Sequence, residues 1–176
     1  MIISVEKAKA LLDFGDWTDE KIEMKLRSAE QTIRAYTNNN FQNRGYRCTA
    51  DIVDGAFVVG SAVPFAVGDT VEVSESPLNS GLFVVSGVDG STFTTTEKPA
   101  SEKAVLCTKI TYPADVVDCC VNLLEWEKQN RAKVGIQSET LSRHSVTYFS
   151  QDANNQVMGY PVSLLGCLKA YRKARC

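Results

Sequence analysis

Histidine is almost missing from this chain: His144 is the one imidazole among 176 residues. Acid–base chemistry near neutral pH therefore has a single ready candidate, since only histidine titrates there without a perturbed environment. No G-x-x-x-x-G-K-[ST] or G-x-G-x-x-G run is present to cradle a phosphate, and no G-x-S-x-G elbow to raise a nucleophile. Apolar runs all fall short of the roughly 20 residues that cross a bilayer, so no membrane helix is predicted. The opening Met-Ile-Ile-Ser-Val-Glu-Lys lacks a basic stretch followed by an apolar one. That pattern predicts no secretory signal, and so a protein made in the cytosol. A formal net charge of −2 supplies no general pull toward nucleic acid or an anionic membrane.

Cysteine is present, but without the spacing that metal sites use. Cys48, Cys107, Cys119, Cys120, Cys167 and Cys176 include no C-x-x-C pair, and none lies near His144 in sequence. Cys119 and Cys120 are adjacent on a predicted helix, where neighbours point about 100° apart and do not easily share one tetrahedral ion. The expectation is free thiols behaving as small hydrophobes, with no metal and no cofactor.

What the chain does have is a change of texture, helical to β to helical. Ser4 can cap a short helix through Leu12, with Gly15 beyond it as a stop. Thr18 can cap a longer one, favoured by Asp19 and Glu20 at its positive end. Along that helix Ile22, Leu26, Ala29, Ile33 and Tyr36 recur at steps of three and four, forming one apolar stripe. Asn38-Asn39-Asn40 ends it, because asparagine competes for backbone hydrogen bonds and tolerates left-handed geometry. Then come six short β-rich runs: Cys48–Val53, Phe57–Val59, Val71–Ser74, Leu82–Val88, Thr92–Thr96 and Ala104–Ile110. Asp54-Gly55, Asn79-Ser80-Gly81 and Asp89-Gly90 separate several of them, Asp89-Gly90 being the clearest hairpin signal. Pro113 opens a third helix bearing Val116, Val117, Cys120, Leu123 and Leu124, with a stop expected at Gly135. After a polar stretch holding a short alternating patch, Ser145–Phe149, Gly159-Tyr160-Pro161 leads into a last helix, expected over 161–175. The fold class predicted is α+β: a small bundle of about four helices (1–44 and 112–176) interrupted by an inserted SH3-like antiparallel β-barrel (45–111). The junctions near Arg44 and Thr111 should lie close together.

The order of these pieces carries a resemblance. Ile33-Arg34-Ala35-Tyr36-Thr37-Asn38-Asn39-Asn40-Phe41 and Tyr112-Pro113-Ala114-Asp115-Val116 resemble the helical framework of bacteriophage head–tail connector (adaptor, or head-completion) proteins of the Gram-positive phage and prophage type. The closing stretch is the most similar: Gln137 to Tyr148, with Ser138-Glu139 and Ser145-Val146-Thr147-Tyr148, then Gly159-Tyr160-Pro161, then Leu164 to Arg175. The resemblance covers about residues 4–44 and 112–176, not the barrel. It implies a structural virion protein of the neck and not an enzyme. Such a subunit forms a ring under the portal after DNA packaging, dodecameric in the virion. The ring extends a channel through which DNA passes without sequence-specific binding, and it docks the next neck or tail-completion protein. The resemblance further implies that Leu164, Leu165, Leu168, Tyr171, Arg172 and Lys173 dock on the portal protein, on a terminal helix free to project. It also implies that Ser145, Val146, Thr147, Tyr148 and Phe149 form an arm to a neighbouring copy.

Three other readings use the same residues. The chain could be a different neck or tail-completion part, which differs only in partner. The barrel could be a nucleic-acid-binding module, although its runs carry few basic residues and Phe57, Phe83 and Phe93 read as core. His144 could serve a hydrolase or metal enzyme, but no partner to orient it is visible in sequence.

Overall fold

The structure, a computed structural model, describes residues 1–130, 138–141, 144–147 and 156–174. The chain divides into two compact units, Met1–Asn39 with Pro113–Cys176, and Asn40–Tyr112. It is an α+β fold, a small helical bundle interrupted by a closed antiparallel barrel.

The barrel unit holds six strands: β1 (Gln42–Val53), β2 (Ala56–Val59), β3 (Thr70–Ser74), β4 (Gly81–Asp89), β5 (Thr92–Thr95) and β6 (Glu102–Ile110). They close in the order β1-β2-β5-β4-β3-β6, with β6 pairing back onto β1. The six predicted runs all became strands, and β1 starts earlier than its β-rich residues suggest. In β1 the register advances from Asn43 opposite Lys109 to Arg47 opposite Thr108. Arg44, Gly45 and Tyr46 are therefore extra residues on one side, a bulge of the kind that bends a strand at a barrel rim. Gln42 pairs with Ile110, and the Thr111 N–H donates to the Phe41 carbonyl at 3.0 Å. The first and last strands of the barrel are thus neighbours at the point where the chain arrives and departs.

Two Asp-Gly dipeptides make two different turns. Between β1 and β2, Asp54 (φ 52°) and Gly55 (φ 87°) are the two central residues of the loop. Positive φ at both positions is what a type I′ hairpin needs. Asp89, by contrast, remains in β4 opposite Thr92, so the second loop is Gly90-Ser91 with only Gly90 (φ 58°) left-handed. The hairpin is where the sequence placed it, one residue out of step.

Inside the barrel, alternation sends Ala50, Ile52, Phe57, Val59, Val71, Val73, Val85, Phe93, Val105 and Cys107 inward, and Phe65 from a loop joins them. Phe57 and Phe93 are cross-strand partners with rings stacked at 4.4 Å, and Phe65 meets Phe93 edge-on at 5.3 Å. These aromatics fill the interior and offer no stacking platform to a nucleic acid. In the helical unit, α1 (Val5–Leu11) is capped by Ser4, and α2 (Asp19–Thr37) by Thr18. Asn38 ends α2 in the left-handed region at φ 48°. In α3 (Ala114–Asn130) Val116, Cys119, Cys120, Leu123 and Leu124 are buried, while the expected stop at Gly135 lies outside the described residues. Four short strands follow: β7 (Ser138–Leu141) pairs with β8 (His144–Thr147), and β9 (Gln156–Val157) with β10 (Tyr160–Pro161). Among the described residues, no helix is long and apolar enough to cross a membrane.

Because Phe93 lies at the centre of the ring stack and is 1% exposed, Phe93→Ala should cost about 3–5 kcal/mol of barrel stability. Denaturant unfolding followed by near-ultraviolet circular dichroism checks this. A loss under about 1 kcal/mol would contradict the packing described.

Candidate functional site

The residues expected to dock on a partner lie at the C-terminal end of the helical unit. Met158 (φ 53°) and Gly159 (φ 80°) turn β9 into β10, again with two left-handed positions in a two-residue loop. The turn sets Tyr160 into the core, where its hydroxyl donates to Glu127 Oε1 at 2.8 Å. Glu127 Oε2 receives Lys25 Nζ at 2.8 Å, and Trp126 stands edge-on to the Tyr160 ring at 5.4 Å. The buried carboxylate is thus paired and hydrogen-bonded at both oxygens, as burial of such a charge requires.

Pro161 then starts a ten-residue 3₁₀ helix, Val162–Tyr171, where an α-helix to 175 was expected. The sequence contains the reason. Val162, Leu165, Leu168 and Tyr171 recur at steps of three, and a 3₁₀ helix has three residues per turn, so the four line one edge. Leu165 and Leu168 are fully buried, and the segment packs against α3 and α2. Around this seam Cys119 Sγ donates to the Leu164 carbonyl at 3.3 Å. Tyr171 Oη donates to Asp115, 2.7 Å from each carboxylate oxygen. The end of α2 joins in: the Lys173 N–H donates to the Thr37 carbonyl at 2.8 Å, Asn39 Nδ2 to the Tyr171 carbonyl and Asn38 Nδ2 to the Ala174 carbonyl. The Arg172 guanidinium lies over the Tyr36 ring, 5.3 Å from its centroid.

This corrects the expectation of a loosely held terminal helix. Leu165 and Leu168 complete the core of their own unit and are not free as docking groups, while Leu164 and Tyr171 are half-buried. Lys169, Arg172 and Lys173 are exposed, so the basic strip faces outward although its backbone is anchored. Part of the expected arm is a strand, as its alternating pattern suggests. Ser145, Val146 and Thr147 belong to β8, which pairs with β7 in the register Leu141 opposite His144. Tyr148 and Phe149 lie outside the described residues, as does the environment of the His144 side chain. Neither β7 nor β8 pairs with a third strand among the described residues.

Sequence reasoning missed two groupings. Glu127, Lys25 and Tyr160 come from three distant segments, and only the wide apolar face of α3 hinted that a charge on it would be buried. The thiols are the second case. Cys48 and Cys107 are direct cross-strand partners in the barrel. Cys119 and Cys167 both approach the Leu164 carbonyl. Cys120 faces elsewhere, and burial together with the nearby Glu30 carboxylate pushes its thiol up to about 12. Among the described residues, no three His, Cys, Asp or Glu side chains stand close enough to hold a metal ion. A cleft of about 230 Å³ between the α1–α2 loop and α3 is lined by Leu12, Asp13, Phe14, Leu124, Glu125, Lys128 and Gln129, with no serine, threonine, cysteine or histidine among them.

Comparison with models of known protein families finds no match for this chain, and comparison with curated proteins finds none.

Two outcomes follow from the geometry. Leu168→Ala should cost about 2–5 kcal/mol, as buried leucine truncations do, and Leu165→Asp with Leu168→Asp should abolish the melting transition of the helical unit. A nearly unchanged transition in the double variant would contradict the burial. Separately, the Asp115 carboxylate accepts the Tyr171 hydroxyl and raises its pKa above the ordinary tyrosine value of 10.0. A raised folded-state pKa contributes stability below the unfolded value and loses it as pH climbs through the folded one. Nuclear magnetic resonance titration of Tyr171 should show that elevation, and Asp115→Asn should remove it.

Proposed function

We propose that this chain is a head–tail connector subunit of a long-tailed bacteriophage or prophage, working by binding and ring formation and not by catalysis. The observation that carries the reading is the order of its pieces. A capped helix pair ends in an asparagine run, a helix opens at Pro113, and a Ser-Glu/Ser-Val-Thr hairpin follows. Gly159-Tyr160-Pro161 then leads into a basic terminal segment. That succession resembles the one expected of the family, with the closed barrel inserted in sequence after its first helix pair, a thermodynamically mild addition.

The anchored C-terminal segment supports a revised account of docking. Its leucines hold the backbone in place, and Lys169, Arg172 and Lys173 project from a fixed support. A rigid basic strip suits an acidic face of a portal protein, where complementary charge raises the association rate. The β7–β8 hairpin supports the contact to a neighbouring copy, because among the described residues its outer edges pair with no third strand and a sheet edge is a template for another chain. Rotational rings need two different patches per subunit, and a basic strip and a hairpin edge are two such patches. In this account the protein is made in the bacterial cytoplasm and resides at the neck of the virion. There it extends the DNA channel below the portal and receives the next neck or tail component.

The test is mixing with a purified portal protein from the same phage or prophage, followed by sedimentation and electron microscopy. A ring seated on the portal is expected. Arg172→Glu with Lys173→Glu should slow association at least tenfold at low salt, with the difference shrinking as ionic strength rises. Association with a tail-completion partner but never with portal would move the chain to another place in the neck. Salt-sensitive DNA binding without any ring would overturn the reading in favour of a nucleic-acid module.

A further inference from the structure

Cys48 on β1 and Cys107 on β6 occupy one rung of the antiparallel ladder, as direct Cα partners. Such partners hold their β-carbons about 4.5–5.5 Å apart, and a disulfide needs about 3.5–4.5 Å, so a small inward adjustment of the rung suffices. Both side chains lie at the barrel interior. Cys107 is fully buried, and Cys48 is half-buried, packed against the same core. One thiol is therefore enclosed while the other is only partly covered.

The two sulphurs also differ in proton affinity. The Cys107 thiol donates toward the Cys48 sulphur, which holds the Cys48 pKa below the usual thiol value against the opposing effect of burial. Cys107 is shifted the other way, by that same hydrogen bond and by burial, so it keeps its proton. The less buried member of the pair is thus the one held toward the thiolate, the form that attacks disulfides. Cys119 and Cys167 also approach each other, through the Leu164 carbonyl at 3.3 and 3.8 Å. No backbone ladder fixes their β-carbons.

We propose that Cys48 and Cys107 form an oxidisable dithiol, Cys48 the entering nucleophile and Cys107 the resolving thiol, whose disulfide clamps the first strand of the barrel to the last. The oxidant is a small-molecule disulfide, for which oxidised glutathione is the probe. The Cys48 thiolate attacks one sulphur of the oxidant, its S–S bond breaks, and one glutathione leaves as thiolate. Cys107 then gives its proton to solvent and attacks the Cys48 sulphur of the mixed disulfide. The Cys48–Cys107 bond forms and the second glutathione leaves. Two protein thiols lose two electrons and two protons, and the oxidant takes them up. The inference is independent of the connector reading, since it uses the barrel alone.

The experiment treats the full chain with oxidised glutathione, quenches samples over time with iodoacetamide, and maps peptides without reduction. A peptide pair joined through Cys48 and Cys107 is expected, preceded by a transient glutathione adduct on Cys48, with the thermal midpoint of the barrel rising on closure. Cys107→Ala should trap the adduct on Cys48, and Cys48→Ala should lose both adduct and link. The time course in the unaltered protein stands by itself if a variant fails to fold. The proposal is overturned if Cys48 and Cys107 both remain alkylated after prolonged oxidation. It is equally overturned if glutathione persists on Cys48 of the unaltered chain, or if every link formed involves other cysteines.

Discussion

The pairing of β1 with β6 is the constraint from which the barrel unit follows. They are the first and last strands of the unit, Gln42–Val53 and Glu102–Ile110, and so the most distant in sequence. Local hairpins can form β1–β2 and β4–β5 by themselves, but without the long-range rung the sheet would keep two open edges. Closure also brings the two ends of the unit to a single place, which is what lets a helical chain carry an insertion of this kind. The stacked Phe57 and Phe93 then have a wall on every side. Each feature of the interior depends on that last strand returning beside the first.

The helical unit is organised by a different device, a terminal segment that finishes the core. Leu165 and Leu168 pack against α2 and α3, and the Thr37 carbonyl, one of those a helix leaves unsatisfied at its end, finds a donor in the Lys173 N–H. Tyr160 anchors the same segment at its start, through the Glu127–Lys25 pair. A surface used for recognition gains from such anchoring, because little ordering is left to be done when a partner arrives.

Much of this was legible in the residues. The helix caps at Ser4 and Thr18, the stop at Asn38 and the inward alternation around Phe57 and Val73 all act over a few residues, so local chemistry decides them. The six strands were legible for the same reason. Three things were not. The three-residue step of Val162, Leu165 and Leu168 was visible, but it was read with the pitch of the commoner helix. The bulge at Arg44–Tyr46 depends on what lies opposite, and no local signal marks it. Nor did spacing reveal the thiol rung, since register between residues so far apart in sequence is a property of the closed barrel. Of the candidate site, its position at the chain's basic end was legible, and the division into buried leucines and exposed cations was not.

The same adjacency of first and last strands has a mechanical side. Phe41 and Thr111 lie at one end of an antiparallel pair, joined by a single backbone hydrogen bond of 3.0 Å. Tension arriving through those two points would act across the ladder and not along it, opening the rungs in turn, as a zip opens. Force is then borne by one rung at a time, so the unit would yield early under load, however stable it is at equilibrium. Pulling at opposite ends of the same strands would load every rung together and be resisted far more strongly. How a barrel of this topology responds to strain is therefore set by where its chain arrives and leaves, more than by the packing of its core.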